Sequence, residues 1–127
     1  MKLTKNFNKS EFDSRDGAEM PIQVLRNVKV LAKQLQKVRT MLAMPIHINS
    51  GYRSVEYNES IGGVLDSMHV QGKAADLTIE GLEPTIVYKI LEVLINDGII
   101  LQGGLGLYNT FVHYDTRGKY IRWDYTS

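Results

Sequence analysis

The sequence predicts an α+β domain in which two long helices pack on a mainly antiparallel sheet. Two segments, Pro21 to about Ala43 and Pro84 to about Gly98, repeat apolar residues at three- and four-residue steps. The final stretch instead breaks into short aromatic and branched runs separated by turn residues.

Each element has its own signals. Pro21 suits the first position of a helix. Val24, Leu25, Val28, Leu31, Leu35, Val38 and Leu42 then form an apolar stripe, and Pro45 stops it. Ile46-His47-Ile48-Asn49 reads as a short strand with alternating faces. Ser54 caps a short helix that ends at Gly62-Gly63. Ala74 to Ile79 reads as a strand. Pro84 opens the second long helix, which carries Ile86, Val87, Ile90, Leu91, Leu94 and Ile95, with Gly98 as its C-terminal cap. Gly103–Tyr108, Phe111–Thr116 and Tyr120–Trp123, broken at Asn109-Thr110 and Arg117-Gly118, read as a β-meander. No repeat, low-complexity segment or linker interrupts the chain, so residues 1–127 are read as one domain.

Composition narrows the function classes. Hydrophobic residues make up 43% and charged residues 23% of the 127 positions, which excludes a disordered, collagenous or coiled-coil chain. The most apolar stretch, Thr85 to Leu101, is interrupted by Lys89, Glu92, Asn96 and Asp97, so no membrane insertion is expected. The N-terminal residues lack the apolar core of a secretory signal. Without cysteine there are no disulfides, thiol nucleophiles or zinc fingers, and any metal must take oxygen and imidazole ligands. A net charge of +1 carries no global nucleic-acid footprint. The charge is uneven, however: Arg26, Lys29, Lys33 and Lys37 form one stripe at helical spacing. That stripe reads as a solvated helix face, with contact to an anionic polymer as the alternative.

Three histidines concentrate the chemistry. His47, between Ile46 and Ile48, reads as structural or solvent-facing. His69 lies in a loop ahead of Gly72, and Asp76 opens a strand behind the small residues Ala74 and Ala75. In the Phe111–Asp115 run, period-two geometry puts His113 and Asp115 on one face and Val112 and Tyr114 on the other. Two histidines and one aspartate suffice to hold a catalytic zinc, with a fourth position left for water. Charge and hydrogen-bonding roles account for the same residues otherwise.

An ordered set of motifs adds to this reading. Ser50-Gly51-Tyr52-Arg53-Ser54, Tyr57-Asn58, Gly62-Gly63 and Ser67-x-His69-x-x-Gly72-x-Ala74-Ala75-Asp76 come first. Gly103-Gly104-x-Gly106-x-Tyr108, Phe111-Val112-His113-Tyr114-Asp115 and Arg122-Trp123 close it. From about Leu3 to Tyr125 the chain resembles the zinc D-Ala-D-Ala carboxypeptidase family of peptidoglycan peptidases (the M15 type), especially its short phage and bacterial members. The resemblance implies the fold shared by hedgehog domains and DD-peptidases, with His69, Asp76 and His113 as ligands of Zn2+. It gives Arg53 the task of assisting the scissile carbonyl or the substrate's carboxylate, and places Ser67 on the substrate site. The implied activity is hydrolysis of a peptide bond in a peptidoglycan stem peptide or cross-link, by a monomer. A non-catalytic zinc domain that binds cell wall or a protein partner is the alternative. Better-known members carry an acid three residues before the last histidine as general base; that position here is Thr110. Asp115 is the expected replacement, with orientation of an imidazole or pairing with an arginine as its other possible role. A wall substrate and no secretory signal together suggest phage-type release or a virion component.

Overall fold

A computed structural model describes all 127 residues. A 3₁₀ turn (Lys9–Phe12) precedes α1 (Ile22–Leu42), β1 (Ile46–Ser50), α2 (Val55–Ser60), β2 (Ala74–Ile79), α3 (Pro84–Asn96), β3 (Gly104–Leu107), β4 (Val112–Asp115) and β5 (Ile121–Asp124). No helix is long and apolar enough to cross a membrane.

The helix boundaries follow local chemistry. Pro21 caps α1 from outside the helix rather than filling its first position, with extended backbone at ψ 155°. At the other end Ala43 turns left-handed, φ 54°, so that its N–H donates to the Arg39 carbonyl, 3.0 Å away. A residue with a Cβ pays about 1–2 kcal/mol for that conformation. Ala43→Gly is therefore expected to stabilise the fold by about 0.5–1 kcal/mol, after allowing for the greater freedom of glycine in the unfolded chain. A urea midpoint that stays put or falls would contradict this. Ser54 caps α2 by accepting from the Tyr57 N–H at 3.0 Å, and Gly98, at φ 73°, follows the end of α3.

The sheet order is β1-β2-β4-β3-β5. β1/β2, β2/β4 and β3/β4 pair antiparallel, but β5 joins β3 in parallel. The sheet is thus mixed, not the mainly antiparallel one expected, and its last three strands are no meander. The reason is edge occupancy: β4 is hydrogen-bonded by β2 on one side and β3 on the other, so β5 must pass beyond it to the free edge of β3.

Alternation along three strands separates core from site. Ala75, Leu77 and Ile79 of β2, Leu105 and Leu107 of β3, and Val112 and Tyr114 of β4 enter the hydrophobic core. There they join Val28, Leu31, Leu35 and Val38 of α1 and Val87 and Leu91 of α3. The intervening residues Asp76, Gly104, Gly106, His113 and Asp115 project to the other face. A one-residue slip of β2 or β4 would exchange the two sets, and burying each core side chain is worth about 1.5–3 kcal/mol. The apolar face therefore holds the polar face in register.

Candidate metal centre

Register places Asp76 directly opposite His113 on adjacent strands. The turn before β2 brings in His69. The Oδ1 atom of Asp76 lies 3.2 Å from His69 Nε2 and 3.2 Å from His113 Nδ1. All three donor atoms fall within 4.8 Å of one another, and all three residues are buried. Ligands about 2.0–2.1 Å from a tetrahedral zinc stand about 3.3 Å from each other, so the observed spacing fits.

The outer contacts of the two rings decide what the inner atoms can do. His69 Nδ1 donates to the Gly51 carbonyl at 2.7 Å, and His113 Nε2 donates to Asp115 Oδ2 at 2.7 Å. With those nitrogens protonated, a neutral His69 and a neutral His113 both turn a lone pair toward the Asp76 carboxylate. Three electron-pair donors then converge with no donor hydrogen among them, an arrangement that one divalent cation satisfies at once. The local field agrees. Burial works to raise the Asp76 carboxyl, but the His113 and His69 rings beside it outweigh that and hold it well below the usual carboxylate range, as a site that draws positive charge should. Burial works to lower His113, but the Asp115 and Asp76 carboxylates outweigh it and raise the ring, so both favour positive charge on or beside it.

Asp115 lies behind the ring of His113. It shares a face with His113 as expected, yet it is 0% exposed and does not line the adjoining cavity. Its Oδ1 accepts from the Gly104 N–H at 2.8 Å and from Arg117 Nε at 2.9 Å; its Oδ2 takes His113 and, at 2.8 Å, Arg117 Nη2. Burial pushes this carboxyl up, but His113, Arg117 and Gly104 together hold it far below the ordinary range. These contacts suit the second of its two expected roles, orienting an imidazole and pairing with an arginine. The glycines around it have a steric purpose. A Cβ on Gly104 would overlap the Asp115 carboxylate, and one on Gly106 would overlap Trp123, whose ring lies 4.9 Å from that of His113.

Arg53 is fixed from three sides. Its Nε donates to Ser50 Oγ at 3.2 Å, Nη1 to Asn58 Oδ1 at 3.3 Å and Nη2 to Asp76 Oδ2 at 3.3 Å. Its backbone N–H donates to the His69 carbonyl at 3.1 Å, which ties the Arg53 loop to the His69 turn. Gly51 lets that loop cross the 3₁₀ turn, since a Cβ there would come within 2.7 Å of Phe12 Cα. Asn58, 2% exposed, also donates to the Val64 carbonyl at 2.7 Å, and a Cβ on Gly63 would overlap it. Asn58 and Gly63 of those two motifs thus build the support for one guanidinium.

A cavity of about 460 Å³ opens onto this group, lined by Arg53, His69, Asp76 and His113 among others. Ser67 lines it as well, with its hydroxyl accepting from the His69 N–H at 3.1 Å. Thr110 does not: it sits exposed in the turn between β3 and β4. His47 is exposed on β1, away from the group.

Residues to which the sequence reading gave no role complete the wall. Trp123 Nε1 donates to the Tyr108 hydroxyl at 3.0 Å, and Tyr108 stacks on Phe111 with ring centroids 4.3 Å apart. Arg117 and Asp66 line the same cavity. The aromatic richness of the tail was visible in the sequence; its convergence depends on β5 lying beside β3.

A family model described as Peptidase M15 matches residues 2–115. The zinc D-Ala-D-Ala carboxypeptidase of Streptomyces albus G is 35% identical over 71 residues. That match covers 55% of this chain and 28% of the Streptomyces protein. The buried His-Asp-His group and this zinc-dependent relative both fit Zn2+ as the metal. With nearly its whole length matched, the chain belongs to the peptidase M15 family.

Proposed function

We propose that the chain is a zinc peptidase that hydrolyses a peptide bond in the D-amino-acid-containing stem peptide or cross-link of bacterial peptidoglycan. The observation that carries this reading is the buried His69–Asp76–His113 group, opening with Arg53 onto one cavity. Bound zinc supplies a Lewis acid that polarises a carbonyl and makes water more acidic. His69, Asp76 and His113 hold it, and the Gly51 carbonyl and Asp115 fix the two rings. Arg53 presents a planar fork to the substrate's carboxylate or to the oxygen on which charge develops. The Tyr108 hydroxyl accepts from Trp123, so its own hydrogen is free to donate to a substrate oxygen. Among the cavity carboxylates Asp76 belongs to the ligand group, and Asp66, exposed on the cavity wall, is the one that would take a proton from water and return it to the departing amine.

Two variants separate these roles. Asp66→Asn is expected to lower turnover by about 10²–10⁴ with zinc affinity unchanged. Asp115→Asn should weaken zinc affinity by about 10–100-fold, and excess zinc should restore activity. A zinc titration of each reads the outcome, and an exchange of the two phenotypes would reverse the assignments.

The absence of an acid at Thr110 favours one second reading, a zinc-binding domain of this fold that holds cell wall or protein without cleaving it. Incubation with purified peptidoglycan and mass spectrometry of the muropeptides tests both. The peptidase reading expects a new amine and a new carboxyl at a bond involving a D-residue; zinc-loaded protein that leaves every muropeptide intact supports the binding domain.

A further inference from the structure

The outward face of α1 carries a basic stripe that the metal centre does not use. Over its 21 residues the helix has no acidic side chain. Arg26, Lys29, Lys33 and Lys37 are all exposed, and none is ion-paired with a carboxylate. At 3.6 residues per turn the four fall within an arc of about 80° and extend about 16 Å along the axis. They stand opposite the buried stripe of Val28, Leu31, Leu35 and Val38, so they face away from the sheet and its cavity.

A groove of about 420 Å³ adjoins the stripe; Met41, Ile99 and the stems of Lys33 and Lys37 give it a mostly apolar surface. Its floor is held in place: Gln36 Oε1 accepts from Thr4 Oγ1 at 2.7 Å and from the Asn6 N–H at 2.8 Å, while Lys37 Nζ donates to the Ile99 carbonyl at 3.2 Å. The four cationic groups of the stripe, rather than this groove, suit the anionic oxygens of phosphates spaced along a chain.

We infer that this face binds a linear polyol phosphate polymer of the cell wall, keeping the enzyme on the wall while the cavity on the opposite side stays open. The choice of a wall polymer rests on the peptidase reading above; the phosphate chemistry rests on the face itself. Exposed neighbours on the helix are Ile22, Val30 and Met41, with no aromatic ring on which a nucleic-acid base could stack. The helix's apolar stripe is consumed by the core, so it is not free to enter a bilayer.

Fluorescence anisotropy with labelled poly(glycerol phosphate) across a salt series tests this without turnover or metal, so its failure is separate from failure of the peptidase reading. Wild-type protein should bind, with log K falling against log salt at a slope of about −3 for four phosphate contacts. The Arg26→Gln, Lys29→Gln, Lys33→Gln, Lys37→Gln variant should bind at least tenfold more weakly with a slope near zero. A variant of equal net charge, with Gln at exposed Lys2, Lys5, Lys89 and Lys119, should bind like wild type. Absence of wild-type binding, or equal losses in the two variants, would overturn the proposal. So would equal or tighter binding to DNA or to phosphatidylglycerol vesicles.

Discussion

Asp76→Ala is expected to abolish zinc binding and turnover together. The carboxylate supplies the ligand atom shared by both imidazoles at 3.2 Å, and its second oxygen balances the Arg53 guanidinium at 3.3 Å. Removing it leaves two rings and a cation converging with no negative charge between them. Loss of an outer partner alone costs about 10–100-fold in metal affinity, so loss of this ligand should exceed 100-fold. His69→Ala and His113→Ala should behave alike, whereas His47→Ala, altering an exposed residue on β1, should keep its zinc. Metal analysis after gel filtration reads all four. Retention of zinc by Asp76→Ala, or its loss from His47→Ala, would refute the site.

The second large effect is expected at Arg53. Arg53→Ala should retain zinc and lower kcat by about 10²–10³, the scale for removing one group that stabilises transition-state charge. Arg53→Lys should recover activity only in part. An ammonium replaces the charge but cannot donate at once toward Ser50, Asn58 and Asp76 while presenting a fork to substrate. Wild-type kinetics in Arg53→Ala would remove this residue from the mechanism.

These expectations show which links of the argument are local. The strand Ala74–Ile79 and the long helices are legible because apolar periodicity and capping residues act over a few positions. The shared face of His113 and Asp115 is legible for the same reason, since period two needs no tertiary information. The meeting of Asp76 with His113 is not: they are 37 positions apart, and their register is set by apolar residues on the opposite face. The place of β5 was misread because hairpin signals describe neighbours in sequence, whereas strand order depends on which edges are already filled. The surroundings of Asp115 were hidden for a related reason. Its distance from His113 follows from the strand, but the Gly104 N–H and Arg117 that engage it come from a neighbouring strand and the loop beyond β4. The glycine motifs were visible as letters, and only packing shows that they clear space for Asp115, Trp123 and Asn58.

The central claim is that one zinc in this cavity enables peptide-bond hydrolysis. Its most direct test strips the protein with a chelator, returns zinc in sub-stoichiometric steps and counts amines released from peptidoglycan at each step. The account predicts cleavage that rises linearly and levels off at one zinc per chain. Undiminished cleavage by the stripped protein, or no cleavage at full zinc occupancy, would contradict it.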